Sequence, residues 1–460
     1  MARTDNPTAQ LATQSVGRLL WTYSLPAVVG MLVMQLYNVV DRAFIGQVVG
    51  KEAIAGLTIT FPVMNITTAL GVLIGAGAAA RISIHLGNSD DAGARRVFGN
   101  ALTLTTLIGL VYLSVFFFFL DDILRLFGAT DETIPYAHDF MVWILPGLMM
   151  MNLTYSFNNV MRASGFPTKA MITMFIGAGM NVVLAPLFVY LLDMGIKGAA
   201  IATDISMAVT TYFVLRHFAF TQSPVHYARG IYKLNWPTVL SIVGIGAAPS
   251  IVNVAACFIN IFINRNLTEF GGSDAVASAG IFVTYTTLLV CVILGICQGM
   301  QPIIGYNYGA GLYDRLKKTY WLAVGASTVI SIIGFALGML CPRAIARVFV
   351  SDAGLVGDTA HFLTISLVMF WMVGFQVVST TFLQSLGRVG ASILLSLSRQ
   401  VLFLLPILYI MVDRLGLDGI WLSFPMSDLC ATIVAAILII IEMRSLNHAR
   451  THRLPSPLNS

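Results

Sequence analysis

Twelve apolar runs of about 20 residues or more dominate this 460-residue chain. An α-helix rises about 1.5 Å per residue, so about 20 residues cross the hydrocarbon core of a bilayer. Backbone inside a bilayer must satisfy its own hydrogen bonds, and an α-helix does so within one segment. The runs therefore predict an all-α integral membrane protein with twelve transmembrane helices, near 19–46, 53–79, 97–120, 136–157, 168–192, 196–220, 238–263, 276–300, 319–341, 361–382, 390–412 and 418–442.

Composition agrees with this class. Hydrophobic residues make up 57% of the chain and charged residues 10%, against about 25% charged in soluble domains. Residues 1–18 are polar, and no small-residue cleavage site follows an apolar stretch there. We therefore expect the first helix to act as the targeting signal. The formal net charge of +5 is explained by membrane topology, and we expect no nucleic-acid partner.

The second half of the chain repeats the first. With an offset of roughly 222 residues and small slips, Pro26 aligns with Pro249 and Gly87 with Gly309. Six helices in each half is an even number, so both halves enter the membrane in the same direction. Such halves are related by an axis along the membrane normal, as in parallel repeats of transporters. We predict two pseudo-symmetric six-helix lobes.

Helix ends and polar connections predict five segments. They are a cytoplasmic N-terminal segment (1–18), an N-lobe with helices 1–6 (19–220), a cytoplasmic linker (221–237), a C-lobe with helices 7–12 (238–445) and a cytoplasmic tail (446–460). With the N-terminus cytoplasmic, about seventeen Lys and Arg residues fall inside and about eight outside. This excess follows the positive-inside rule and places both termini in the cytoplasm.

Polar side chains gather in the outer half of the first lobe. Asp41 lies about five residues before the end of helix 1, and its counterpart in the second lobe is Asn264. Asn181, Thr203 and Asp204 fall at comparable depth in helices 5 and 6. Oxygen ligands suit a hard cation, and a carboxylate in an apolar environment can also carry a proton. We predict a coupling site for a cation or proton here. The alternative for Asp41 is a pair with neighbouring Arg42.

The second lobe has a different polar inventory. Its deep acid is Asp428, and Arg399 in the preceding helix is long enough to reach it. We favour a structural ion pair, with a second proton or substrate site as the alternative. The remaining intramembrane polar residues are amides, which predict a polar cavity or structural contacts: Asn260, Asn264, Gln298 and Gln301. Pro26 is a candidate for a bend or gate in helix 1. We expect no transition-metal site.

Several segments resemble the multidrug and toxic compound extrusion (MATE) family. The most specific is residues 298–310, QGMQPIIGYNYGA, which resembles the helix-8 signature of that family. Others are Pro26 with YNVVD at 37–41, MRASG at 161–165 and GAAIAT at 198–203. The resemblance covers about residues 18 to 445. Within the family, the chain looks most like the DinF-type or MepA-type bacterial branch. It implies two lobes around a V-shaped central cavity, with Asp41, Asn181 and Thr203 matching the cation-binding residues.

One position departs from the family pattern. Helix 5 in the family carries Asn, three apolar residues, Asp and Pro, whereas this chain has Ala185 before Pro186. Either Asp204 replaces the missing carboxylate from the facing helix, or the site holds fewer charges and couples to protons.

The resemblance implies a secondary antiporter in a bacterial inner membrane that exports cationic amphipathic compounds in exchange for H⁺ or Na⁺. Its expected partners are small organic cations and membrane lipid, with no cofactor, and we expect a monomer. The alternative in the same superfamily is a flippase for lipid-linked oligosaccharides or lipids. A membrane enzyme is disfavoured because we find no nucleophile–base constellation in the sequence.

The charge count generates a topology test. In a cysteine-free background, single cysteines at Asp131 and Asp352 should react with an impermeant thiol reagent added to whole cells. Cysteines at Asp91 and Asp314 should react only after the membrane is opened. Reversed labelling would overturn the orientation, and a mixed pattern would contradict the number of helices.

Overall fold

A computed structural model shows the architecture. It describes residues 8–48, 51–220 and 223–452, and it leaves the side chains of residues 37–58 and 450–452 undescribed. Within these ranges every regular element is a helix. The helices of the N-terminal half are α1 (Gln10–Thr13), α2 (Val16–Val48), α3 (Lys51–Gly87), α4 (Asp91–Leu126), α5 (Ile134–Ala163), α6 (Pro167–Pro186) and α7 (Gly195–His217).

The C-terminal half begins after a connection in which Asn235 caps the next helix by accepting a hydrogen bond from the backbone N–H of Thr238. Its helices are α8 (Trp236–Gly309), α9 (Tyr313–Leu340), α10 (Pro342–Phe349), α11 (Ala353–Ser366), α12 (Val373–Ser385), α13 (Val389–Leu397), α14 (Leu405–Leu415) and α15 (Leu417–His452). We call α2–α7 the N-lobe and α8–α15 the C-lobe.

The described residues contain ten helices long and apolar enough to cross a membrane. The bent pair formed by α11 and α12, with 51° between its parts, gives an eleventh. Helix α8 has 74 residues, about 110 Å at 1.5 Å per residue, which is far too long for one crossing. Its backbone leaves the helical conformation at Gly272, where φ is 63°. Division at Gly272 gives twelve crossings, which agrees with the predicted helices.

Two segments of π-helix interrupt the bundle, one in each lobe. Leu187–Leu191 follows α6 directly, and Ser398–Leu404 separates α13 from α14. Both lie next to a proline that has a partner in the other half, Pro186 and Pro406. A proline removes one backbone hydrogen bond, and a π-helical turn re-pairs the backbone around the gap.

The two lobes meet through glycines at the end of the molecule where α3 ends and α8 begins and ends. A Cβ atom on Gly77 would overlap the backbone carbonyl of Ile242, and one on Gly246 would overlap that of Leu73. Helices α3 and α8 therefore approach backbone to backbone, as small residues allow in membrane bundles.

Repeat partners make reciprocal contacts at this interface. A Cβ on Gly87, at the end of α3, would overlap the carbonyl oxygen of Tyr306 in α8. A Cβ on Gly309, the repeat partner of Gly87, would overlap the carbonyl oxygen of Ile84 in α3. The sequence repeat thus appears in space as two helix ends packed on each other around the axis between the lobes.

The N-terminal segment reinforces the same end. Leu11 in α1 is fully buried in an apolar cluster with residues of α8, α9 and α15. Its backbone carbonyl accepts hydrogen bonds from the side chains of Asn307 (3.3 Å) and Arg315 (3.1 Å). Residues before the first membrane helix therefore join the N-lobe to the C-lobe.

The glycine contacts generate a conformational prediction. Gly246→Ala places a methyl group against backbone, which cannot move aside as a side chain can, so the lobes should separate at this end. Spin labels can be placed at Asp91 and Lys318, both exposed at this end. Pulsed electron paramagnetic resonance should show a longer mean distance between them in Gly246→Ala than in the native protein. Gly325→Ala is the matched control, because a Cβ at Gly325 in α9 meets nothing within 4 Å. Identical distances in both variants would contradict the argument.

Candidate functional site

Two of the predicted coupling residues are in direct contact. The side-chain amide of Asn181 in α6 donates a hydrogen bond of 2.9 Å to the hydroxyl of Thr203 in α7. That hydroxyl donates in turn to the carbonyl of Ala199, one turn earlier, at 3.0 Å. Asn181 is only 1% exposed. The pair fixes two oxygen-bearing side chains at the contact between neighbouring helices.

The third predicted residue, Asp41, lies within α2. Its side chain is outside the described residues, so the structure gives no distance from its carboxylate to Asn181 or Thr203. Helix α2 packs against both α6 and α7. Asp41 therefore belongs to the helix that flanks the Asn181–Thr203 pair.

Asp204 faces a different helix from its neighbour Thr203. Its carboxylate lies directly over Gly147 of α5, where an added Cβ would overlap the Oδ1 atom. This Oδ1 is buried and has no hydrogen-bond partner among the described residues. Successive helical residues point about 100° apart, so Thr203 faces α6 while Asp204 faces α5. Thr203 and Asp204 therefore lie on different faces of α7, and the Asp204 carboxylate is at the contact between α5 and α7.

A cavity of about 150 Å³ lies beside these helices. Five methionines from four helices line it: Met31, Met34, Met151, Met174 and Met207. Its polar lining includes Tyr155, Asn158, Gln298 and Arg162. Sequence analysis did not identify Arg162 as a cavity residue, because it follows the predicted helix at 136–157 and was counted among the cytoplasmic cations. Arg162 is 5% exposed, and its guanidinium donates to the side-chain oxygen of Asn159 at 2.6 Å.

In the C-lobe the structure brings Arg399 and Asp428 together. The Nε atom of Arg399 lies 2.6 Å from Oδ1 of Asp428. Both side chains line a second cavity, of about 360 Å³, between α2, α8, α15 and the π-helical segment Ser398–Leu404. Met31 and Gln35 of α2 line this cavity too, and both also line the methionine-rich one. Both cavities therefore border helix α2 at these two side chains.

The predicted amides have separate surroundings. Gln301 donates to the backbone carbonyl of Ala76 in α3 at 3.3 Å, so it joins the lobes. Gln298 faces the methionine-rich cavity, and its side-chain oxygen is buried without a partner among the described residues. Asn260 and Asn264 are exposed on α8 and do not line either cavity. The four amides therefore do not form one C-lobe polar cluster.

Pro26 was predicted as a bend or gate. It lies inside α2, which is one unbroken helix from Val16 to Val48. Neighbouring residues of α2 contact α8: the hydroxyl of Ser24 donates to the carbonyl of Ile296 at 3.3 Å, and Val28 packs on Gly295. Pro26 thus lies where α2 packs against the C-lobe.

Comparison with known proteins identifies the family. The family model described as MatE matches residues 26–187 and again residues 239–410. The chain belongs to this family. The two matches fall one in each lobe, as expected for a duplicated MATE protein, and they span most of both bundles. The family consists of membrane transporters, and this chain is therefore a multi-pass MATE transporter.

Individual relatives support the family assignment. The chain is 28% identical over 434 residues to a multidrug export protein MepA of Staphylococcus aureus, covering 93% of this chain and 94% of the relative. A MepA protein of Staphylococcus haemolyticus is 24% identical over 443 residues, covering 94% of each chain.

Solved structures show the same two-lobe fold. The MATE multidrug transporter DinF-BH, solved in complex with a ligand, is 36% identical with a TM-score of 0.88 and covers 95% of this chain and 98% of its own. A multidrug resistance MATE transporter described as outward-facing is 26% identical with a TM-score of 0.89 over 95% of this chain and 98% of its own. The resemblance found in the sequence is therefore confirmed, including its DinF-type and MepA-type relatives.

The position of Asp204 generates a prediction about its role. Asp204→Asn keeps the shape that packs over Gly147, so dye efflux should stay within about twofold of the native rate. Asp204→Leu places a branched apolar side chain against that glycine and should lower the yield of folded protein. Efflux of a fluorescent cationic dye from cells, normalised to membrane protein level, measures both. Loss of efflux in Asp204→Asn that a second change, Ala185→Asp, restores would show instead that the two positions serve one pocket.

Proposed function

We propose that this protein is a secondary active antiporter that exports cationic amphipathic compounds in exchange for H⁺ or Na⁺. The coupling site is in the N-lobe around Asp41, with Asn181 and Thr203. The observation that carries the proposal is the hydrogen-bonded Asn181–Thr203 pair, held between α6 and α7 beside the helix that contains Asp41. No cofactor is needed, because the transported ion supplies the driving force.

The coupling argument is thermodynamic. A cation or proton shifts a conformational equilibrium only if it binds one state more tightly than the other. A site built from α2, α6 and α7 changes when these helices move relative to each other, because its oxygen atoms come from different helices. The hydroxyl of Thr203 and the amide of Asn181 supply oxygen ligands that suit Na⁺. Asp41 supplies the charge and the group that can carry a proton.

The proposed substrate class rests on the methionine-rich cavity and on the carboxylate of Asp41. Methionine side chains are flexible and polarizable, and they pack against apolar compounds of different shapes. A carboxylate in the same lobe favours a positive charge on the compound. The two relatives named above are multidrug export proteins, which supports a broad range of substrates.

The conformation follows from the glycine contacts. They close the end of the molecule at which α1, the last turn of α15 and the start of α8 lie. The excess of Lys and Arg assigns this end to the cytoplasm of a bacterial inner membrane. On that assignment the protein is closed to the cytoplasm and outward-facing, like the outward-facing relative that it superposes on.

The role of Asp41 has a direct test. Asp41→Asn removes the charge and the titrating group but keeps the shape, so gradient-driven export should fall at least about tenfold, within the usual range of coupling energies. The assay is dye transport in inside-out vesicles, with the pH and Na⁺ gradients imposed separately, so that it also identifies the coupling ion.

The matched control is Asp131→Asn, which changes an exposed acid paired with Arg125 outside the bundle. It should leave transport unchanged. Gradient-driven export that persists in Asp41→Asn at normal protein level would overturn the assignment.

A further inference from the structure

The C-lobe cavity has the size and lining of a ligand site. Its volume of about 360 Å³ falls within the range of about 300–1,000 Å³ typical of small-molecule pockets. The aromatic rings of Phe282, Phe370 and Phe424 form part of its wall. Ligand pockets are usually apolar with a few polar groups that orient the ligand, and Arg399 supplies such a group here.

Arg399 has hydrogen-bonding capacity left over. Its contact with Asp428 uses Nε, and no ion pair or hydrogen bond in the described part of the structure uses its two terminal NH₂ groups. Asp428 is only 7% exposed at its side chain, whereas Arg399 is 29% exposed. Both side chains line the cavity, but Arg399 is the more exposed of the two, so its terminal nitrogens supply most of the charged surface that a ligand meets.

The backbone around Arg399 is arranged to hold it there. Arg399 lies in the π-helical segment Ser398–Leu404, where the usual α-helical backbone pairing is lost. The hydroxyl of Ser427 in α15 donates to the carbonyl of Arg399. The next residue, Gln400, also lines the cavity, and its side-chain oxygen is buried without a partner among the described residues. A buried amide without a partner is costly, and a ligand that donates to it would remove that cost.

We propose that this cavity binds the acidic group of an aromatic amphipathic compound, with the terminal nitrogens of Arg399 as its anchor. A guanidinium binds carboxylate or phosphate oxygens through two parallel hydrogen bonds. Asp428 holds the guanidinium in place through Nε and leaves the other nitrogens for the ligand. The proposal extends the proposed function, because it adds zwitterions and organic anions to the cations that an N-lobe acid would select.

A lipid headgroup could supply the same chemistry. Arg399 lies ten residues after Val389, where α13 begins, which is about 15 Å along the helix and about half the thickness of the hydrocarbon core. Phospholipid headgroups lie at the membrane surface. The depth therefore favours the acidic group of a transported compound, and the experiment separates the two sources.

The probes are rhodamine B, a zwitterion with a free carboxylate, and its ethyl ester, which has the same ring system without that carboxylate. Binding to the purified full-length protein in neutral detergent is followed by fluorescence anisotropy. Arg399→Gln should weaken rhodamine B binding about tenfold or more, as expected for a lost charge-assisted hydrogen bond. It should change binding of the ester less than about twofold. Arg399→Lys keeps the charge without the planar fork and should give an intermediate affinity for rhodamine B.

Asp428→Asn tests whether the Asp428 carboxylate opposes binding of an acidic ligand. It removes the competing carboxylate, so rhodamine B should bind at least as tightly as to the native protein. If Arg399 and Asp428 form only a structural pair, Asp428→Asn should instead weaken both dyes together and lower the thermal unfolding temperature. The double variant Arg399→Gln/Asp428→Asn leaves no unpaired charge, so it should fold normally and still bind rhodamine B weakly.

Two further results decide the proposal. Addition of phosphatidylglycerol to the micelles should leave rhodamine B binding unchanged if the ligand is a transported compound, whereas Arg399-dependent competition would assign the site to a lipid headgroup. Equal loss of both dyes in Arg399→Gln, or no binding of rhodamine B to the native protein, would overturn the anion site. Either result leaves the N-lobe function intact, because that function is measured by export of a cationic dye that lacks a carboxylate.

Discussion

Backbone contact between α3 and α8 is the constraint on which the arrangement of the two lobes depends. At Gly77, Gly246, Gly87 and Gly309 a single methyl group would overlap the backbone of the facing helix. In a bilayer, apolar side chains gain little by leaving lipid for protein, so close packing of small residues drives helix association. The contacts are all at one end of the molecule. Both cavities and the predicted coupling residues lie on helices whose positions this closure sets.

The two lobes share a fold but differ in their polar chemistry. The N-lobe places a hydrogen-bonded amide and hydroxyl between α6 and α7 and contains Asp41 in α2. The C-lobe has an amide, Asn264, at the counterpart of Asp41 and an Arg–Asp pair at a π-helical segment instead. Duplication gives each lobe the same scaffold, and later changes can then give each scaffold its own ligand. In our proposal the N-lobe binds the coupling ion and the C-lobe binds an acidic group.

Helix α2 connects these two chemistries. Its residues Met31 and Gln35 line both cavities, and the amide of Gln35 donates to the sulfur of Cys291 in α8 at 3.3 Å. The same helix packs on Gly295 and Gly299 of α8 through Val28 and Ser24. A movement of α2 therefore alters both cavities at once. This is a physical route by which an event at Asp41 can change ligand binding in either lobe.

The sequence by itself determined the fold class, the duplication and the family, because apolar length, repeat spacing and the helix-8 signature are local features of the chain. It also identified the residues of the Asn181–Thr203 pair and the Arg399–Asp428 pair as intramembrane polar groups. Only the tertiary structure decided which helix each side chain faces. Asp204 follows Thr203 directly, yet it packs on Gly147. Gln301 joins the lobes, while Gln298 faces a methionine-rich cavity. Depth along a helix can be counted from sequence, but the direction of a side chain around it depends on how the neighbouring helices pack.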